Sequence, residues 1–269
     1  MSHTPRKRFG QHFLHDPACI ARIVEVIKPA RDDLMVEIGP GRGALTAPLL
    51  AQLDRLHAVE LDRDLAKSLR QRFPEDKLTL HRADALKFDF AALGTPPRLL
   101  RVVGNLPYNI STPLLFKLLE QRHRIADMHF MLQREVVERM AAAPGSKRYG
   151  RLTVMLSFYA TIEPLFDIGP GAFNPPPRVW SSVVRLIPRP MPLAALADPA
   201  LFARLVASVF SQRRKTLANG LKHWLTREQI SSLDIDPGVR GETLSPETFA
   251  ALTNLAHENG ISGGRDGHE

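Results

Sequence analysis

The stretch that decides the fold is "VEIGPGRGALT" at residues 36–46. A short apolar run leads into Gly39, Gly41 and Gly43, and a helical pattern follows. Glycines at such a position let the chain turn sharply and let a ligand approach the backbone closely. Strand, glycine loop and helix in that order predict the first unit of an open α/β sheet holding a nucleotide-type cofactor. Gly39, Gly41 and Ala44 also satisfy the relaxed dinucleotide spacing, so this loop alone leaves a nicotinamide coenzyme and S-adenosylmethionine both open.

Two acids narrow the choice. Glu60 closes the next apolar run in "HAVELDRD", nineteen residues beyond Gly41. A carboxylate at the end of a second strand is placed to accept hydrogen bonds from two ribose hydroxyls. Asp84, in "LTLHRADALKF", follows the third strand and can accept from an adenine amine, although a helix N-cap is an equally ordinary role for it. Loop, Glu60 and Asp84 at three successive strand ends make a constellation that a purely structural turn does not account for.

Working outward, short continuous apolar strands are expected at 34–38, 56–61, 78–81, 99–103 and 128–132, separated by helices. Asp16-Pro17 opens a helix to about Ile27, and Ser111-Thr112-Pro113 is expected to cap the helix 114–121. The pattern predicts a mostly parallel sheet covered on both faces. Residues 152–160, "LTVMLSFYA", fit a helix or a strand by periodicity alone and are read as a helix, with strands near 164–168 and 179–187. The proline-rich 188–199 reads as a linker, and helical periodicity resumes at Leu201 and again after Ser245-Pro246. The expected domains are therefore 1–189, which binds the cofactor, and 190–269, a small all-α domain.

Composition sets the partner class. Lys and Arg number 36 against 28 Asp and Glu, a formal net charge of +8 that favours an anionic partner such as nucleic acid. The positive charge clusters in "RKR" at 6–8, "SKRYGR" at 146–151 and "QRRK" at 212–215. One cysteine excludes internal disulfides and Cys-rich metal sites, and the ten histidines show no metal spacing. No apolar run is long enough to span a bilayer, and the N-terminus lacks a secretory signal pattern, so a cytoplasmic location is expected.

The fourth strand runs into "GNLPYNIST" at 104–112. Asn and Pro suit a turn, yet this turn falls on the same sheet edge as the cofactor residues. Methylating an aromatic exocyclic amine requires acceptors for its hydrogens, because the nitrogen lone pair is delocalised into the ring. The Asn105 side-chain oxygen and the Leu106 carbonyl can serve, with Pro107 fixing the turn and Tyr108 stacking on the base. The remaining step is an in-line displacement driven by positioning and electrostatics, without a metal.

The segments "RKRFGQHFL", "VEIGPGRGALT", "VELDRD", "GNLPYNIS", "FNPPPRVWSSVVRL" and "FSQRRKTLANGL" resemble, in order and over nearly the whole chain, the bacterial small-subunit ribosomal RNA adenine dimethyltransferases. The resemblance implies a Rossmann-like S-adenosylmethionine-dependent fold with a small helical domain. It also implies dimethylation of the N6 amines of two adjacent adenines in the 3′-terminal hairpin loop of 16S rRNA, late in assembly of the 30S subunit. The implied partner is 16S rRNA in an immature 30S particle, with no membrane and no metal, and the expected state is a monomer. Carried onto this sequence, cofactor contacts fall on His12, Leu14, Gly39, Gly41, Glu60, Asp84 and Asn105. Catalysis falls on Asn105, Leu106, Pro107 and Tyr108, and base stacking on Tyr108 and Phe173. RNA phosphates fall to Arg213, Arg214 and Lys215, expected together on one helical turn. His12 departs from the Asn that many members carry, and a role for its backbone alone would make the change harmless. Three other readings predict different behaviour: a resistance-type large-subunit methyltransferase, a nicotinamide-dependent oxidoreductase, and an RNA-binding assembly factor.

Overall fold

The computed structural model describes residues 12–94, 97–107 and 109–263. Its main sheet has seven strands in the order β4-β3-β2-β5-β6-β9-β7. They are β2 (Leu34–Ile38), β3 (Leu56–Val59), β4 (Leu78–His81), β5 (Leu100–Asn105), β6 (Ile125–Gln133), β7 (Ala160–Ile168) and β9 (Ser181–Pro188). β2 to β6 pair in parallel, whereas β9 runs antiparallel to β6. β1 (Phe13–Leu14) and β8 (Phe173–Asn174) form a separate two-stranded sheet.

Both faces of the central strands β2, β5 and β6 are buried, which is why these strands are near-continuous apolar runs. Met35, Val103 and Met131 pack in a core cluster with Ile23, Val24 and Ile27 of α1 (Pro17–Ile27). Their neighbours Val36, Val102 and Phe130 point the other way and are equally buried. The crossovers α2 (Thr46–Leu50), α3 (Arg63–Arg72) and α4 (Ser111–Glu120) follow β2, β3 and β5. Helix starts obey local chemistry. Asp16 accepts the Cys19 amide at 2.8 Å ahead of Pro17, and Asp62 accepts the Asp64 amide at 2.9 Å. At the other end of α1, Arg101 on β5 donates to the carbonyls of Ile27 and Lys28 while pairing with Asp33 and Asp127. That side chain ties the helix end, whose last carbonyls lack intrahelical partners, to the sheet.

Two compact units emerge: the chain up to Val137 with Ile162–Pro188, and Glu138–Thr161 with Arg189–Glu269. Residues 138–161 group with the C-terminal residues and not with 162–188. The second unit contains α6 (Arg151–Tyr159), α7 (Pro199–Ser211), α8 (Leu217–Gly220), α9 (Arg227–Ser231) and α10 (Pro246–Glu258), with α5 (Arg134–Met140) spanning the division. Its core is aromatic: the Phe158 ring packs tilted against Phe202 of α7 with centroids 4.6 Å apart, and Phe210 likewise against Phe249 of α10 at 5.7 Å. A tether from α6 to a distant segment is invisible to local pattern, so the sequence reading placed α6 with the sheet. The structure corrects the start of α4, where Ser111 lies inside the helix and no side chain caps it. No described helix is long and apolar enough to cross a membrane.

Candidate functional site

In chain order β2 leads to β3 on one side, while β5 returns on the other, so the sheet switches direction between β2 and β5. Ligands in open α/β sheets bind at the carboxyl edge across such a switch. A cavity of about 360 Å³ opens there, lined from the ends of β2, β3, β4 and β5. That volume lies in the range of small-molecule sites.

The glycine loop forms one wall. Gly39, Gly41 and Gly43 all have left-handed backbones, with φ of +66°, +58° and +79°. At Gly41 a Cβ would also stand 3.2 Å from the Phe13 ring, so the short strand β1 packs against a face that only glycine leaves open. Glu60 is buried, and its carboxylate bridges two segments. Oε2 accepts the Gly41 amide at 3.2 Å and Oε1 the Asp62 amide at 2.8 Å. Burial pushes its carboxyl up from the ordinary range, while those amides pull it back. Asp84 also lines the cavity and accepts the Leu86 amide on Oδ1 at 2.9 Å, which makes it the cap of a short turn as well. Together the loop and two carboxylates offer acceptors for ribose hydroxyls and an adenine amine, plus open backbone for the rest of an S-adenosylmethionine molecule. The residues present fit that cofactor.

Asn105 closes β5 at the opposite wall. Its Nδ2 donates to the His12 carbonyl at 3.0 Å, which leaves Oδ1 as the acceptor the side chain can turn toward a ligand. His12 therefore acts on Asn105 through its backbone, while its imidazole Nδ1 sits 2.7 Å from the Pro175 carbonyl. Leu14 lines the same cavity and is held in register opposite Phe173. The Leu106 amide donates to the Met131 carbonyl at 3.2 Å, and the following turn closes from the Ile110 amide to the Pro107 carbonyl at 3.2 Å. The turn thus engages the Pro107 carbonyl and not that of Leu106. Tyr108 lies outside the described residues, as does the basic run 6–8.

Two expected roles are corrected. Phe173 is 3% exposed and packs in the core, so its ring presents no face to a base. Arg213 to Lys215 do not share a helical turn, because α7 ends at Ser211 and they lie in the turn that follows. Arg214 and Lys215 are exposed. Arg213 is committed within its own unit: Nε donates to Glu242 at 2.6 Å and Nη2 to the Lys147 carbonyl at 2.7 Å.

One site residue escaped the sequence reading. Glu37, inside the quoted motif, is buried beneath the loop, lines the cavity, and accepts from the Thr46 hydroxyl at 2.6 Å. Burial pushes its carboxyl up to about 7. Its signal was a charged residue in the middle of an otherwise apolar buried strand.

The model of the ribosomal RNA adenine dimethylase family matches residues 2–258. Ribosomal RNA small subunit methyltransferase A of Nitrosococcus oceani is 58% identical over 254 residues, covering 94% of this chain and 96% of that protein. Its counterpart in Aromatoleum aromaticum is 54% identical over 252 residues, covering 94% of both. A dimethyladenosine transferase from Plasmodium falciparum superposes with a TM-score of 0.80 at 26% identity, over 93% of this chain and 99% of that structure. The 23S rRNA methyltransferase ErmE gives 0.69 at 27% identity, over 91% and 99% respectively. The switch-point cavity, the Glu60 bridge and the oriented Asn105 amide thus occur on a chain that belongs to the ribosomal RNA adenine dimethylase family.

Proposed function

We propose that this protein uses S-adenosylmethionine to dimethylate the N6 amines of two adjacent adenines in the 3′-terminal hairpin loop of 16S rRNA, within a maturing 30S subunit. The observation that carries this reading is Asn105, whose donor nitrogen is taken by the His12 carbonyl so that its acceptor oxygen is free for an amine N–H. The 52–58% identity to proteins named ribosomal RNA small subunit methyltransferase A favours the small subunit over the large one, although ErmE shares the fold. A cytoplasmic site of action follows from that substrate.

S-adenosylmethionine, when bound, supplies an electrophilic sulfonium methyl. Glu60 and Asp84 hold the cofactor's ribose and adenine, and the loop accommodates its amino-acid portion. Asn105 Oδ1 and the Leu106 carbonyl would accept the N–H groups of the target amine, two before the first transfer and one before the second, drawing the nitrogen lone pair out of conjugation. The proton the amine loses at each transfer would pass to solvent. Pro107 fixes the chain direction, and Tyr108 keeps its stacking role on the motif alone. Preorganised acceptors of this kind lower the barrier without reorganising during the reaction.

The test is to incubate the protein with labelled S-adenosylmethionine and, separately, undermethylated small and large subunits, and to map the modified adenines. Label in two adjacent adenines of the 16S 3′-terminal hairpin is the expected result. Label confined to the large subunit would overturn the reading in favour of a resistance-type activity.

A further inference from the structure

Beyond β5 the carboxyl edge carries, among the described residues, one large exposed aromatic that the methyl-transfer site does not use. Trp180 is 49% exposed, and Val179 beside it is 44% exposed. Isolated exposed apolar residues are ordinary, but this one has a particular place and a particular neighbour. Asn105 pairs with Met131 across β5 and β6, and Gln133, two residues on, pairs with Ser181 at the start of β9. Because β9 is antiparallel, Trp180 lies just past the end of β6, above the same edge as Asn105. Two strand spacings across and three residues along put its Cα roughly 14 Å from that of Asn105. This is the side of Asn105 away from the cofactor loops.

The ring is also dressed for a nucleotide. The Arg134 guanidinium carbon stands 5.9 Å from its centroid, within cation–π range. The Arg134 amide donates to the Trp180 carbonyl at 2.9 Å, and the Arg134 guanidinium pairs with Asp167 at 3.7 Å, so the cation is anchored beside the indole. A Cβ placed on Gly169 would meet the indole edge at 3.7 Å, so the ring rests close to the backbone there. Arg178, two residues earlier, is exposed. An exposed indole with a guanidinium beside it, on a chain of net charge +8, suits a ligand that is both aromatic and anionic.

We propose that Trp180, with Arg134 beside it, is the stacking platform for an unpaired nucleotide that flanks the target adenine in the RNA. The proposal rests on the methyltransferase reading above. Stacking on one side chain strengthens single-strand binding whatever the base. Trp180 therefore contributes to the hold on RNA, and the methyl-transfer geometry stays with Asn105.

The test is steady-state methyl transfer to undermethylated 30S subunits by the full chain and its Trp180→Ala, Trp180→Leu and Trp180→Phe variants, with cofactor affinity and melting temperature measured alongside. The expected result for Trp180→Ala is a KM for the subunit raised roughly tenfold, with kcat and cofactor affinity within about twofold. Trp180→Phe should recover most of the loss and Trp180→Leu should not. An unchanged KM in Trp180→Ala overturns the proposal, as does equal rescue by Leu, which would mark an apolar protein contact. Sedimentation showing a dimer that Trp180→Ala dissolves would overturn it as well. Should the unmodified protein transfer no methyl to any subunit, the underlying reading falls and this one with it. A Trp180→Ala failure alone leaves the methyltransferase standing.

Discussion

The carboxyl edge of the sheet and the basic turn after α7 both carry polar side chains held by the protein's own backbone, with opposite consequences. At the edge, internal bonds leave capacity in place: the Asn105 donor is engaged and its acceptor remains, and each Glu60 oxygen takes one amide and keeps a lone pair. At the turn, internal bonds take up part of the capacity: Arg213, though exposed, pairs Nε with Glu242 and reaches the Lys147 carbonyl with Nη2. A polar group in a family motif is therefore either an instrument or a brace, and its hydrogen-bond partners show which.

Each variant below can break that contrast. Among binding effects, Glu60→Ala should have the largest. Removing the carboxyl acceptor of two ribose hydroxyls should weaken cofactor binding by roughly 10- to 100-fold in calorimetry. Unchanged affinity would make Glu60 a brace between the loop and α3. For the basic turn, Arg214→Ala with Lys215→Ala should flatten the salt dependence of RNA binding, lowering the slope of log K against log salt by about 1.5. Arg213→Ala should leave most of that slope intact and instead lower stability by about 1 kcal/mol, a few degrees in melting temperature. If Arg213→Ala flattens the slope as much as the pair does, the contrast between edge and turn fails.

A separate effect, read through pH, concerns Glu37. Its carboxyl is pushed up from about 4.5 to about 7 by burial, so between those values the folded chain keeps a proton that the unfolded chain releases. Stability from this group is complete below pH 4.5 and is lost as pH rises toward 7. Glu37→Gln, which keeps an acceptor for Thr46, should therefore melt close to the parent at pH 5 and above it at pH 8. A melting difference independent of pH would show that Glu37 is not held protonated.

The contrast also explains what was legible in the sequence. The glycine loop could be read because backbone conformation follows residue type, and Gly39 and Gly41 adopt the left-handed conformations their spacing announced. Glu60 and Asp84 could be read because strand ends in an alternating α/β pattern are themselves predictable. Arg213 could not, because its state depends on Glu242, 29 residues away. Phe173 was misplaced for a similar reason: its pairing with Leu14 joins segments 159 positions apart, and that pairing turns the ring into the core. The grouping of α6 with the C-terminal residues rests on contacts such as Phe158 against Phe202, which no local pattern carries.

The central claim is that Asn105 grips the reacting amine and does not serve chiefly to bind cofactor or RNA. Single-turnover methyl transfer at saturating cofactor and small subunit, compared between the parent chain and Asn105→Ala, tests it directly. The account predicts a rate lower by about 10²- to 10³-fold, with cofactor and subunit affinities within about twofold of the parent. A rate that stays at the parent value once both ligands saturate would contradict it.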